Sequence, residues 1–142
     1  MSRSGYSCDL EPLELGRYRR QVQCASLGKR GQQFFRDLVA ALDALPEKRL
    51  IKEEIQRTDG EVCALGAVGK LRGLPAEKLN EYVRQSDNDA LGREFNIARQ
   101  LAAETQHEND EGWYNETPEN RWARMRAWAV ENIVPEKLKE GG

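Results

Sequence analysis

The stretch that most constrains the fold is the apolar run from Asp59 to Gly73, which reads D-G-E-V-C-A-L-G-A-V-G-K-L-R-G. Because 32% of the whole chain is charged, this run is expected at the centre of the core. If it winds as a helix, Gly66 and Gly69 fall on one face with Val62 and Gly73. Each glycine inside a helix costs roughly 0.5–1 kcal/mol relative to alanine. We therefore predict that a neighbouring helix or a large aromatic ring approaches the backbone closely along this face.

A buried strand from Glu61 to Val68 is the competing interpretation, because a short apolar run does not distinguish a strand from a helix. The preceding segment, Lys48–Thr58, predicts either an exposed helix or an extended chain. Asp59-Gly60 then predicts a turn. The alternative to a helix is therefore a short β-hairpin or an extended segment around residues 50–66.

Helical spacing of apolar residues dominates the rest of the chain. The most regular pattern runs from Phe34 to Leu45 and is stopped by Pro46. Another helix is predicted to begin at Asn88 or Asp89 and to continue towards residue 107. Thr117-Pro118-Glu119 then combines a capping hydroxyl, a proline suited to the first helical position and an acid in the first turn.

These patterns predict an all-α fold, as a single compact domain of about five to seven helices spanning residues 10–135. Residues 1–9 are expected to be irregular and residues 136–142 to form a frayed end. The predicted core consists of apolar and small residues of the strongest patterns: Phe34, Phe35, Leu38, Leu42, Cys63, Leu65, Gly66, Gly69, Trp122 and Met125.

The charge is distributed unevenly along the 142 residues. The first 36 residues carry seven basic and three acidic side chains, a net charge of +4, which leaves −6 for the remainder. Such segregation is compatible with two partner-facing surfaces, or with faces that attract each other within the fold or across a homodimer. We find no membrane-length apolar run and no apolar signal segment in Met1–Asp9, so we expect a cytoplasmic protein that does not contact a membrane.

Motifs for catalysis or metal binding fail one at a time. The G-A-V-G-K of Gly66–Lys70 is too short for a phosphate-binding loop and lacks its Ser or Thr. His107 stands beside carboxylates, but without a second histidine at zinc-site spacing. Cys8, Cys24 and Cys63 lie in unlike contexts with no C-x-x-C spacing, so a disulfide framework is not expected. We predict no enzyme activity, no catalytic or metal-binding residues and no cofactor; an enzyme that uses the His107 cluster is the weakest alternative.

Two groups of residues are candidates for contacting a partner. The first is a basic region that could neutralise phosphates, with two of its cations at a helix start: Arg17, Arg19, Arg20, Lys29 and Arg30. The second is aromatic, since tryptophan and tyrosine dominate binding hot spots. Trp113 and Tyr114 lie in a polar loop, and Trp128 lies at the flank of an apolar stripe; the alternative is that the tryptophans fold back into the core.

An ordered set of short motifs covers nearly the whole chain: S-R-S-G-Y-S at residues 2–7, G-K-R-G-Q at 28–32, D-G-E-V-C-A-L-G-A-V-G at 59–69, E-N-D-E at 108–111 and E-T-P-E-N-R-W-A-R-M-R-A-W at 116–128. In these motifs the chain resembles a family of small, uncharacterised proteins from tailed bacteriophages and prophages. The resemblance implies a phage origin and no established active residues.

From the phage resemblance and the lack of a catalytic constellation we expect an accessory protein that binds and inhibits a host macromolecule by protein–protein interaction. A component of host defence, in the manner of an anti-CRISPR protein, is one such target. The alternative function is a nucleic-acid-binding accessory factor that uses the Arg17–Arg30 region.

Overall fold

The structure, a computed structural model, describes residues 14–135, and within this range the chain forms seven helices. They are α1 (Glu14–Leu27), α2 (Lys29–Ala44), α3 (Ala64–Arg72), α4 (Ala76–Arg84), α5 (Asn88–Phe95), α6 (Arg99–Asp110) and α7 (Pro118–Glu131). The predicted all-α fold is confirmed. The segments 1–9 and 136–142, predicted to be irregular and frayed, lie outside the described residues. None of the seven helices is long and apolar enough to cross a membrane.

Helix α2 lies at the centre of the bundle, in contact with α1, α3 and α7. Phe34, Phe35, Leu38 and Leu42 are all 0% exposed, because their spacing places them on one stripe of the helix. The Phe34 ring meets Phe35 and the Phe95 ring of α5 edge-on, at centroid distances of 5.6 and 6.5 Å. This aromatic contact joins α2 to α5.

The central apolar run is extended in its first part and helical in its second. Val62 forms a single antiparallel bridge with Gln56. Cys63 then caps α3 by accepting the Gly66 N–H on its sulfur at 3.4 Å. The run is therefore helical from Ala64 to Arg72, as the helix interpretation predicts for this part. The alternative strand from Glu61 to Val68 does not form, because only Val62 takes part in a bridge.

The predicted glycine face exists at two of its three glycines. A Cβ built on Gly69 would lie 3.7 Å from the Phe95 ring, so an aromatic ring does approach the backbone there. A Cβ built on Gly66 would lie 2.0 Å from the Ile55 carbonyl oxygen, which belongs to the extended segment. Gly73 does not belong to the face. It is the C-cap of α3 in the left-handed conformation, with φ of 73°, and it ends the helix.

Side chains of two helices hold the extended segment in place. The Asn109 amide of α6 donates to the Ile51 carbonyl at 2.9 Å. The Asn80 side chain of α4 accepts the Ile55 N–H at 2.8 Å and donates to the Gln56 carbonyl at 2.9 Å. Because these amides satisfy the extended backbone, the segment needs no partner strand beyond the single bridge.

The helix predicted from residue 88 or 89 towards residue 107 is two helices. Asp87, which precedes both predicted caps, accepts the Ala90 N–H at 3.0 Å and caps α5. Asn96 adopts the left-handed conformation with φ of 57° and ends α5, and α6 starts at Arg99. Asparagine tolerates this conformation better than most residues, which is why the chain can reverse there.

The predicted core residues occupy the interior with one partial exception. Phe34, Phe35, Leu38, Leu42, Cys63, Leu65 and Met125 are buried together with Gly66 and Gly69. Trp122 of α7 is only half-buried and packs against the edge of the core. Its indole Nε1 donates to the Leu42 carbonyl of α2 at 3.0 Å, which gives the polar edge of the ring a partner.

Candidate functional site

The most exposed aromatic side chains of the described chain lie in the loop between α6 and α7, which we call the aromatic loop (residues 111–117). Tyr114 is 102% exposed and Trp113 is 54% exposed. Large aromatic rings are normally withdrawn from water, since each buries 150–250 Å² in a typical core or interface. Two adjacent rings left in solvent therefore single out this loop as a candidate contact surface.

A buried carboxylate anchors the aromatic loop. The Glu116 side chain is 1% exposed, and its Oε2 accepts a hydrogen bond from Arg124 Nε at 2.5 Å. The same guanidinium reaches Oε1 through Nη2 at 3.1 Å, so the pair is bidentate. The Glu116 N–H donates to the Trp113 carbonyl at 3.1 Å, and so the loop backbone closes on itself between these two residues.

The glycine at position 112 makes room for this anchor. A Cβ on Gly112 would lie 2.1 Å from Glu116 Oε1, so any residue other than glycine would displace the carboxylate. Arg124 also donates to the carbonyl of Glu108 at 2.6 Å, which fastens the loop to the last turn of α6. The aromatic pair is thus carried by a loop whose conformation is held from both ends.

Electrostatics agree with this anchoring. Hydrogen bonding to Arg124 holds the pKa of Glu116 below its usual range, and Arg121 contributes a further attraction at 3.3 Å. Conversely, the hydrogen bond to Glu116 raises the pKa of the Arg124 guanidinium. Arg121 also donates to the Leu50 carbonyl at 2.7 Å, which connects the ion cluster to the start of the extended segment.

The second candidate region is the predicted basic region, which we call the basic corner: Arg17, Arg19, Arg20, Lys29 and Arg30. Lys29 and Arg30 stand at the corner between α1 and α2, whereas the three other arginines lie in the first half of α1. Arg20 is half-buried and the other four are exposed. The two helices are separated only by Gly28, and the corner encloses a cleft of about 320 Å³. This cleft is lined by Lys29 and Arg30 of α2 and by Ala98, which lies between α5 and α6.

Within residues 14–135 the five cations of the basic corner form no ion pair, a property that they share with Lys52, Lys70 and Arg93. Arg30 contacts only an amide, that of Asn96 at 3.4 Å. By contrast, ion pairs engage these cations of the other helices and of the extended segment: Arg49, Arg57, Arg72, Lys78, Arg84, Arg99, Arg121, Arg124 and Arg126. An unpaired cationic cluster is free to bind an anion.

The cleft beside Lys29 and Arg30 and the aromatic loop lie at opposite ends of α6. Ala98, immediately before this helix, lines the cleft, and the helix ends at Asp110, immediately before the aromatic loop. A helix of 12 residues is about 18 Å long, so the cleft and the loop are separated by roughly that distance along its axis. The basic part of α1 lies beside the middle of α6, because the Tyr18 hydroxyl donates to Glu104 Oε1 at 3.4 Å. Folding therefore brings part of the basic region next to the acidic helix α6.

Trp128, the third predicted partner-binding aromatic residue, is placed differently from the loop pair. It is half-buried, and its ring packs edge-on against Phe35 with centroids 5.2 Å apart. The ring belongs to the contact between α2 and α7. The interpretation in which the tryptophans fold back into the core thus applies to Trp128 and Trp122, and not to Trp113.

The residues considered for catalysis do not converge. His107 is exposed on α6, and no group of three potential metal ligands occurs among the described residues. Cys63 is a free, buried thiol whose pKa is raised by burial to about 12, so it is poorly suited to act as a nucleophile. Cys24 is disulfide-bonded, a bond that the spacing of the cysteines did not indicate. Cys8 lies outside the described residues.

Sequence reasoning missed the residues that fix the aromatic loop. The sequence patterns assign no structural role to Glu116, Arg121 or Arg124. One signal was available: Arg121 stands four residues before Met125 and eight before Ala129, on the buried stripe of α7. A charged residue in line with buried apolar ones implies a buried partner of opposite charge.

Comparisons with known proteins add no identification. The chain matches no protein-family model, and no match was found among the curated proteins or the solved structures.

Proposed function

We propose that this chain is a phage-encoded accessory protein that binds and inhibits a host protein, and that the aromatic loop is its contact surface. The observation that carries the proposal is the exposure of Trp113 and Tyr114 on a loop locked by the buried Glu116–Arg124 pair. The phage origin rests on the sequence resemblance alone. A host defence component, as for an anti-CRISPR protein, is the class of target we favour.

The physical argument is one of affinity gained at low entropic cost. Tryptophan and tyrosine are the side chains most enriched among binding hot spots, where truncation to alanine costs about 2 kcal/mol or more. Ordering a mobile loop on binding would offset much of that gain. Because the aromatic loop is already fixed by a bidentate ion pair, little of the binding free energy is spent on ordering it.

The test is capture of partners from bacterial lysate with the tagged full chain, with and without nuclease. We expect one stoichiometric host protein that persists after nuclease treatment and is lost from the double variant W113A/Y114A. The matched control is L71A, which truncates an exposed apolar side chain on α3, 49% exposed, and should retain the partner. Equal retention by the loop variant and the control would overturn the assignment of the aromatic loop.

The second candidate function, nucleic-acid binding, is favoured by one observation: within residues 14–135, none of the five cations of the basic corner forms an ion pair. Each phosphate contact contributes a salt-dependent increment to affinity through counterion release. We expect the variant R19A/R20A/K29A/R30A to lose DNA or RNA binding and the steep dependence of affinity on salt. Binding that survives with an unaltered salt dependence would refute this function. A charge-matched control replaces four exposed cations elsewhere: Lys52, Lys70, Arg84 and Arg93. Of these, only Arg84 forms an ion pair within the described residues, with Glu81.

A homodimer is the remaining partner prediction, motivated by the segregated charge. Light scattering at micromolar concentration decides it, since a monomer of this chain has a mass of 16.2 kDa.

A further inference from the structure

The surroundings of the aromatic loop are acidic. Glu111 and Glu119 are exposed on its two sides, and Asp110 ends α6 beside it. The Asp110 carboxylate accepts the N–H of Glu53 at 3.1 Å, which brings the exposed side chains of Glu53 and of its neighbour at position 54 to the same end of the molecule. The aromatic pair therefore stands within a rim of carboxylates.

The cations at this end do not neutralise the rim. Arg121 and Arg124 are turned inward, with side chains only 8% and 22% exposed, and both face the buried Glu116 carboxylate. Lys52 on the extended segment is exposed. Arg49 interacts electrostatically with Glu119, but its guanidinium is held by the Glu61 carboxylate. The exposed acids Glu53, Glu54, Glu111 and Glu119 outnumber these two cations, so the outer surface around Trp113 keeps an excess of negative charge.

We infer that the partner surface received by Trp113 and Tyr114 is a protein surface rich in arginine and lysine. This inference rests on the proposed function and specifies the chemistry of its partner. A neutral apolar surface would strip water from the carboxylates of Glu111 and Glu119 without offering them partners, which is unfavourable. Nucleic acid would bring phosphates against the same carboxylates, and so this end of the molecule repels it.

A cationic protein surface satisfies both parts of the site. Lysine and arginine pair with the rim carboxylates, and a guanidinium also stacks on an indole or phenol ring through a cation–π contact. Complementary charge further accelerates encounter, so association should slow as salt rises. Protein surfaces of this kind include those that bind nucleic acid, which are cationic for the same electrostatic reason.

The first experiment uses a fluorescein-labelled nona-arginine peptide as the probe, with a Gly-Ser peptide of equal length for comparison, and measures fluorescence anisotropy at about 0.15 M salt. We expect the full chain to bind nona-arginine and not the Gly-Ser peptide. E111Q/E119Q should weaken binding about tenfold and flatten its salt dependence, and W113A should weaken it about tenfold with no change in net charge. The matched charge control, E77Q/E131Q, removes two exposed acids outside the loop and should change affinity less than twofold.

Equal weakening by E77Q/E131Q and E111Q/E119Q would overturn the inference, because the peptide would then respond to the net charge of the chain. An unchanged affinity for W113A would also overturn it. The same variants applied to the captured host protein separate this inference from the proposed function. If W113A/Y114A releases the host protein while E111Q/E119Q binds it with unaltered salt dependence, the loop is the contact surface and the cationic partner is refuted. If W113A/Y114A retains the host protein, the proposed function fails first.

Discussion

Replacing Gly66 by alanine places a methyl group against the backbone of the extended segment. The new Cβ would lie 2.0 Å from the Ile55 carbonyl oxygen and 2.9 Å from Val62 Cβ. Neither atom is the end of a flexible side chain, so the segment itself must move by about 1 Å or more to restore ordinary van der Waals contact. The contact is a test of whether α3 packs directly on that segment.

The cost follows from what holds Ile55 in place. Its carbonyl accepts the Cys63 N–H at 3.1 Å and its N–H donates to Asn80 at 2.8 Å, and each bond contributes about 1 kcal/mol. Its side chain is 2% exposed, and partial withdrawal from the core costs roughly 1–2 kcal/mol. The higher helix propensity of alanine raises the free energy of unfolding by about 0.5–1 kcal/mol and offsets part of this loss. We therefore expect Gly66→Ala to lower the free energy of unfolding by about 2–3 kcal/mol.

The assay is thermal and urea unfolding followed by circular dichroism, where this loss corresponds to a fall in Tm of roughly 6–12 °C. Gly69→Ala is the matched control on the same face of the same helix. Its Cβ would lie 3.2 Å from Leu79 Cδ1, a methyl group that can shift by a few tenths of an ångström. We expect that variant to stay within about 1 kcal/mol of the parent chain. A Gly66→Ala protein as stable as the parent, or a Gly69→Ala protein equally destabilised, would refute the reasoning.

Four further outcomes are expected. Glu116→Gln should lower the free energy of unfolding by about 3 kcal/mol, because it leaves the buried Arg124 guanidinium without its anion. Folding lowers the pKa of Glu116, so the parent chain has this stabilisation at every pH above the pKa of the unfolded state. The stabilisation is lost as the pH falls through the pKa of the folded state. The free energy of unfolding of the Gln variant should therefore depend less on pH below about pH 4.5. Thr117→Ala should cost about 1 kcal/mol, measured by urea unfolding, since its hydroxyl accepts the N–H at the third residue of α7 at 3.0 Å. Cys63 should react with a thiol reagent only as fast as the protein opens, and rapid labelling of the native chain would contradict its burial. His107→Ala should leave partner capture unchanged, and a lost activity would restore the enzyme alternative.

Local sequence pattern alone predicted those parts of the fold that depend on interactions between residues a few positions apart. The stripe of α2 and its stop at Pro46 were readable because helical periodicity and proline geometry are properties of neighbouring residues. The start of α7 was readable for the same reason: Thr117 caps it and Pro118 occupies its first turn, as the sequence predicts. The polar surroundings of Trp113 and Tyr114 made their exposure one of two alternatives, the other being that the tryptophans fold back into the core.

Features that depend on distant partners were not readable. The pairing of Glu116 with Arg124 is local in sequence, yet its burial depends on the packing of α7 against the end of α6. Trp128 and Trp113 look alike as candidates for a partner, and only the position of Phe35 on α2 withdraws one of them from solvent.

The sequence by itself determined the all-α class, the principal helical stripes and the presence of an aromatic pair in a polar segment, because these follow from periodicity, capping and side-chain chemistry. The tertiary structure decided how the chain between α2 and α3 runs, since its extended backbone is satisfied by Asn80 and Asn109 from helices far along the sequence. It also decided that the aromatic loop is rigid, because a buried ion pair stabilises a loop only when folding excludes water from it.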